Sequence, residues 1–192
     1  MTTNRLEGFS DGVIAIIITI MVLELEVQDG DGFEDLKPII PTFMSYLLSF
    51  IYVGIYWNNH HHMWQIVNRV NGKILWANLH LLFWLSLFPF TTAWMGANNF
   101  SSTPVAVYGF ALLMASVAWA VLIRFVIHAE GPESKIAHAY KKEFKIKTTI
   151  IIYAVAIAIS FFLPIASCFC YILAAMIWFI PDKRVEKEHE KF

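Results

Sequence analysis

The chain has 192 residues, of which 58% are hydrophobic, 16% aromatic and only 15% charged. A water-soluble domain of this length cannot hide so much apolar surface, so composition excludes an ordinary soluble enzyme or binding module and points to a membrane protein. The net charge of -1 excludes the broad basic field of a nucleic-acid binder.

A membrane-spanning helix needs about 20 mostly apolar residues. Six segments meet or approach that length, and together they predict an all-α polytopic membrane protein with six transmembrane helices per chain, residues 1-192 forming one domain. The first runs from Gly8 to Leu25. No small-residue cleavage site follows it, so it is expected to stay as a span and not to be removed as a signal peptide. Its apolar body, Val13 to Leu23, holds a single hydroxyl, Thr19, and is preceded by Arg5, Glu7 and the polar knot Phe9-Ser10-Asp11-Gly12. Ionisable groups so close to a span are costly unless paired or wet. Two readings of Ser10 and Asp11 follow: a cap on the first helical turn, or a reach across to polar groups of neighbouring helices.

An acidic stretch follows, with Glu24, Glu26, Asp29, Asp31, Glu34 and Asp35. The second span, Pro38 to Trp57, leads into Asn58, Asn59, His60, His61 and His62. Three consecutive histidines suggest a metal, but adjacent helical residues point about 100° apart, so one helix cannot gather all three rings on one ion. No metal site is therefore expected, and hydrogen bonding between helices is the predicted role. The third span, Ile74 to Trp94, carries Trp76, Asn78 and His80 near its start and Pro89 near its end. Antiparallel passage brings the end of span two and the start of span three to the depth of Ser10 and Asp11.

The fourth span runs from Pro104 to Ile127; the fifth, Ile146 to Leu163, and the sixth, Ile165 to Ile180, are separated only by Pro164. A single helix over 146-180 would be about 50 Å long at 1.5 Å per residue, too long for one crossing, so a tight hairpin is predicted. Cys168 and Cys170 stand two apart in the sixth span and cannot share a helix face, which argues for lipid- or helix-facing thiols and against a disulfide or metal pair between them. Of the 14 basic residues only Lys37 falls outside the ends that six spans place on one side. The positive-inside rule then puts both termini in the cytoplasm.

The stretch Arg5-x-x-x-Phe9-Ser10-Asp11-Gly12 resembles the Arg-x-x-x-Phe-Ser-Asp signature of the transmembrane protein 175 family, potassium channels of lysosomes and bacteria. The likeness extends to YWNNHH at 56-61, to WANL at 76-79 and to LFPFTTAWMG at 87-96. The resemblance implies a homotetramer in a bacterial inner membrane, with the first helices lining a central pore. Animal members join two six-span repeats in one longer chain. It also implies that Arg5, Ser10 and Asp11 lock the first helix by hydrogen bonds, with Asn78 and His80 as partners. The implied constriction and selectivity residues are Ile16, Ile20 and Leu23, with Thr19 beside them. Periodicity alone leaves the choice open, because Ile14, Ile17 and Met21 make an equally good apolar stripe.

A pore of this kind is expected to need no cofactor, potassium being only the permeant ion. There is no Thr-Val-Gly-Tyr-Gly run for a carbonyl filter. An apolar ring would favour potassium modestly, because potassium holds its water less tightly than sodium, and such rings also gate by dewetting. Glu24 and Glu26 at the outer mouth either concentrate cations there or form a merely solvated acidic loop. The alternatives are a secondary transporter, which would carry mid-depth charges or broken helices, and a non-conducting membrane scaffold. The remaining expected partners are the lipid bilayer and further copies of the chain.

Overall fold

The computed structural model describes residues 2-26, 29-140 and 144-179. Among them are eight α-helices: α1 (Thr3–Leu23), α2 (Ile40–Gln65), α3 (Gly72–Ser86), α4 (Phe88–Ala97), α5 (Ser102–Glu130), α6 (Lys135–Ala139), α7 (Phe144–Ser160) and α8 (Pro164–Phe179). A 3-10 turn over Phe33–Ile39 leads into α2, where Pro41 sits in the first turn, a place that needs no backbone N–H.

The helix boundaries follow local chemistry. Asn71 caps α3, its side-chain oxygen accepting from Ile74 N at 3.0 Å. The third predicted span is two helices, broken at Leu87. Pro89 is the cause: it lacks an N–H, and its ring excludes the carbonyl four residues earlier. Asn99 and Phe100 turn the chain into α5 with φ of 49° and 56°, and Gly131, with φ of 100°, ends α5.

α1, α5, the segment Phe33–Gln65 and the segment Gly72–Ala97 are each long and apolar enough to cross a membrane. The last two predicted spans form the expected hairpin, Pro164 opening α8 after a turn at 161-163. Ser167 Oγ donates to Ala156 O at 2.7 Å, and Trp178 Nε1 donates to Thr149 Oγ1 at 2.8 Å, which sets α7 and α8 antiparallel. At 16 and 17 residues these helices are short. The turn extends the apolar slab, since Phe161, Phe162 and Leu163 are all exposed and apolar. Its amides are satisfied by Ile159 O, at 2.9 Å from Phe162 N and 2.8 Å from Leu163 N, as lipid surroundings require. Ile180 and the basic residues Lys141, Lys142, Lys183, Arg184, Lys187 and Lys191 lie outside the described residues.

α5 is the centre of the subunit, burying fourteen side chains or glycines from Pro104 to Val126. Hydroxyls tie the other helices to it and to each other. Ser49 Oγ meets Thr92 Oγ1 at 2.6 Å and donates to Tyr108 OH at 3.0 Å. Tyr153 OH donates to Tyr52 OH at 3.0 Å, and Tyr52 OH donates to Tyr171 O at 2.5 Å.

Candidate functional site, the first helix and its anchors

α1 is bound to the rest of the subunit along one side only. Leu6, Ser10, Ile14, Ile17 and Met21 are buried. Their spacings of four, four, three and four make one face of a helix. The exposed side of the helix carries Ile16, Ile20 and Leu23, with 58%, 42% and 78% of their surface exposed. Arg5, Phe9, Gly12 and Thr19 are exposed as well. The two apolar stripes that periodicity could not separate are thus separated by packing.

Of the two readings of Ser10 and Asp11, the cap does not hold and the reach to neighbouring helices does. α1 begins at Thr3, so Ser10 and Asp11 lie two turns inside it. Ser10 Oγ is fully buried and donates to Leu6 O at 2.9 Å. It also accepts from Asn78 Nδ2 at 2.9 Å, which joins α1 to α3. Asn78 Oδ1 in turn lies 2.8 Å from His60 Nε2 on α2, and Trp64 Nε1 points at the same nitrogen at 2.9 Å. One ring nitrogen cannot donate to Asn78 and accept from Trp64 at once. Protonated at Nε2 the ring serves Asn78; protonated at Nδ1 it serves Trp64. Nδ1 itself is buried without a partner among the described residues.

A second set of contacts, nearer the surface, ties α1 to α2. Asp11 Oδ1 accepts from Trp57 Nε1 at 3.1 Å. Glu7 Oε1 and His61 Nδ1 are 2.7 Å apart, His61 stacks on Trp57, and Gln65 Nε2 lies 2.8 Å from His61 Nε2. His62 Nδ1 is 3.4 Å from Gln65 Oε1. The three histidine rings therefore turn to Asn78, Glu7 and Gln65. Among the described residues no cluster of three His, Cys, Asp or Glu side chains is arranged to hold a metal ion.

Of the implied locking residues, Ser10, Asp11 and Asn78 are tied between helices. His80 is not: its Nε2 accepts from Trp84 Nε1, on its own helix, at 2.9 Å. Arg5 makes no hydrogen bond or ion pair with the described residues. The residues that complete the network are His60, Trp57 and Glu7. The polar run after span two contains His60 but carries no mark that selects it over His80. At the far end of α1, Glu24 is the C-cap residue and is exposed, as is Glu26. Thr19 Oγ1 donates to Ile16 O at 2.8 Å, so its hydroxyl hydrogen is turned to the backbone.

The family model of the endosomal/lysosomal potassium channel TMEM175 matches residues 5-89, from the start of α1 into α4. A protein of Chryseobacterium sp. (strain P1-3) named a potassium channel is 56% identical over 187 residues, covering 97% of both chains. The chain belongs to the TMEM175 family. The crystal structure of a lysosomal potassium-selective TMEM175 homolog from Chamaesiphon minutus superposes with a TM-score of 0.76 at 25% identity, covering 94% of this chain and 97% of that one. Mouse TMEM175, named an endosomal/lysosomal proton channel, is 24% identical over 66% of this chain and 26% of its own length. As a TMEM175 protein the chain is a multi-pass membrane protein and a cation channel, and not an enzyme.

Proposed function

We propose that this chain is a potassium-preferring channel assembled as a homotetramer, with the exposed face of α1 lining the pore and Ile16, Ile20 and Leu23 forming its apolar constriction. The observation behind this reading is the division of α1 into a bonded face and a bare one. Ser10 and Asp11 fix the rotation of the helix, and that rotation turns Ile16, Ile20 and Leu23 away from the subunit. Below Ile16 the same side of the helix bears Gly12 and Gly8, neither with any atom within 4 Å of an added Cβ. The inner vestibule is therefore wider than the ring above it. A ring of isoleucine side chains has no oxygen to replace hydration water, so an ion crosses it partly hydrated or waits for the ring to wet. The smaller dehydration cost of potassium gives it preference without a carbonyl filter. No cofactor takes part; potassium is the permeating substrate. The bias of Lys and Arg supports both termini in the cytoplasm, and the bacterial relative supports an inner-membrane location.

The test is a pair of reversal potentials in planar bilayers under potassium–sodium gradients, for the parent and for Ile16→Asn. The parent is expected to conduct with a potassium preference that falls several-fold in the variant. Unchanged selectivity would move the filter to another level of α1. Tetramers that are folded but silent would refute the channel reading and return the transporter and scaffold to consideration.

A further inference from the structure

α1 stands between two apolar faces of opposite relief. On one flank α1, α2 and α8 enclose a groove of about 540 Å³ whose wall includes Ile18, Phe50, Gly54, Trp57, Asn58 and Trp178. Gly54 makes a hole in that wall, since an added Cβ there meets nothing within 4 Å. On the other flank α3 carries a ridge of Trp76, Leu79 and Phe83, with Trp76 75% and Phe83 55% exposed. The spacing i, i+3, i+7 puts all three on one helix face.

We propose that these faces are the two halves of one interface: the α3 ridge of one copy seats in the α1–α2–α8 groove of the next copy, with Phe83 opposite Gly54. The proposal rests on the α1-centred assembly above and goes beyond it by naming the surfaces that close the ring.

Depth is the first argument. Rotation about an axis normal to the membrane leaves depth unchanged, so residues that meet across the interface must be level. His60 bonded to Asn78, and Ser45 and Ser49 bonded to Thr92, set α2 antiparallel to α3 and α4 at a known register. Moving outward from the His60–Asn78 pair at about 1.5 Å per residue on both helices, Phe83 stands within about one residue of the level of Gly54. Relief is the second, because a small residue opposite a bulky one lets membrane helices approach closely. Charge is the third. The inner end of the groove carries Glu7 and Asp11, on the edge of α1 that faces α2. The inner end of the ridge carries Lys73, which is exposed and has no partner among the described residues. A face that meets a different face builds a ring, whereas a face that meets itself stops at a dimer.

The experiment is oxidative cross-linking of Gly54→Cys/Phe83→Cys, made in a Cys168→Ala/Cys170→Ala chain, in membranes treated with copper phenanthroline. The double variant is expected to give a ladder from dimer to tetramer on a non-reducing gel, and each single variant no such ladder. A double variant that stays monomeric on the gel, while the parent has tetramer mass by light scattering, overturns this interface and leaves the α1-centred reading intact. A parent of monomer mass removes that reading and this one together. If the cysteine chain is not recovered folded, Gly54→Phe decides, compared with Ile151→Phe on the exposed side of α7. Filling the hole is expected to shift the tetramer–monomer balance at least tenfold while Ile151→Phe leaves it alone. A full tetramer from Gly54→Phe overturns the proposal.

Discussion

Asn78 joins α3 to two other helices. It is fully buried and bonds both Ser10 on α1 and His60 on α2. Interhelical hydrogen bonds within a membrane average about 0.6 kcal/mol and reach about 1.7 kcal/mol, so losing both costs about 1–3 kcal/mol. Asn78→Leu is therefore expected to lower the melting temperature of the purified protein by several degrees and to reduce its current. His80→Leu, which breaks only a bond to Trp84 one turn along the same helix, is expected to change the melting temperature by a small fraction of that. Equal losses from both variants would show that the network does not hold α1. The common depth of Ser10 and Asn78 was legible in the sequence from the count of spans, whereas Asn78 as a partner, with His80 beside it, was only what the family resemblance implied. The place of His60 was not legible. His60 and His80 each stand four residues before a tryptophan, and what separates them is rotation about α3. His80 lies two residues, about 200°, from Asn78 and so faces away from α1. No pattern in one sequence fixes that angle.

At the scale of elements, proline told more than periodicity. Pro89 and Pro164 mark the break between α3 and α4 and the start of α8, because the lost N–H and the ring clash act locally. The cap reading of Ser10 and Asp11 fails because the largely polar stretch before them, with Asn4, Arg5 and Glu7, extends the helix beyond its apolar run. The two stripes of α1 were equal in sequence, and only the neighbouring helices distinguish them. Helix approach was also hidden. α4 lies so close to α2 that a Cβ on Gly96 would stand 2.5 Å from Thr42 Cα and 2.6 Å from Ser45 Oγ. Backbone cannot yield as a side-chain tip can, and overpacking of this kind costs about 1–3 kcal/mol or more. Gly96→Ala is accordingly expected to lower thermal stability in detergent by several degrees. It would also disturb the bond from Ser45 Oγ to Thr92 O, now 3.0 Å. An unchanged melting curve would mean that α4 and α2 do not approach as described.

For the whole molecule, charge is unevenly divided between the two ends of the spans: all basic residues but Lys37 fall on one side together with nine acidic ones, and the other side carries the six acidic residues from Glu24 to Asp35. Glu24 is exposed where α1 ends, beside the unpaired carbonyls that give a helix C-terminus its negative partial charge. Repeated around a pore axis, these groups would raise the local cation concentration at the outer mouth. The competing reading, an acidic loop that is only solvated, makes a different prediction about salt. The Debye length is about 30 Å at 0.01 M and about 3 Å at 1 M, so enrichment by fixed charges is strong in dilute salt and nearly absent in concentrated salt. Single-channel conductance of Glu24→Gln is expected to fall about two-fold relative to the parent at 0.01 M potassium and to match it at 1 M. Selectivity should not change, because the mouth concentrates cations without stripping their water. Equal conductance of variant and parent at both concentrations would reduce the acidic segment to a solvated loop. A deficit that persists at 1 M would mean that Glu24 shapes the pore itself, by altering the end of α1 next to Leu23.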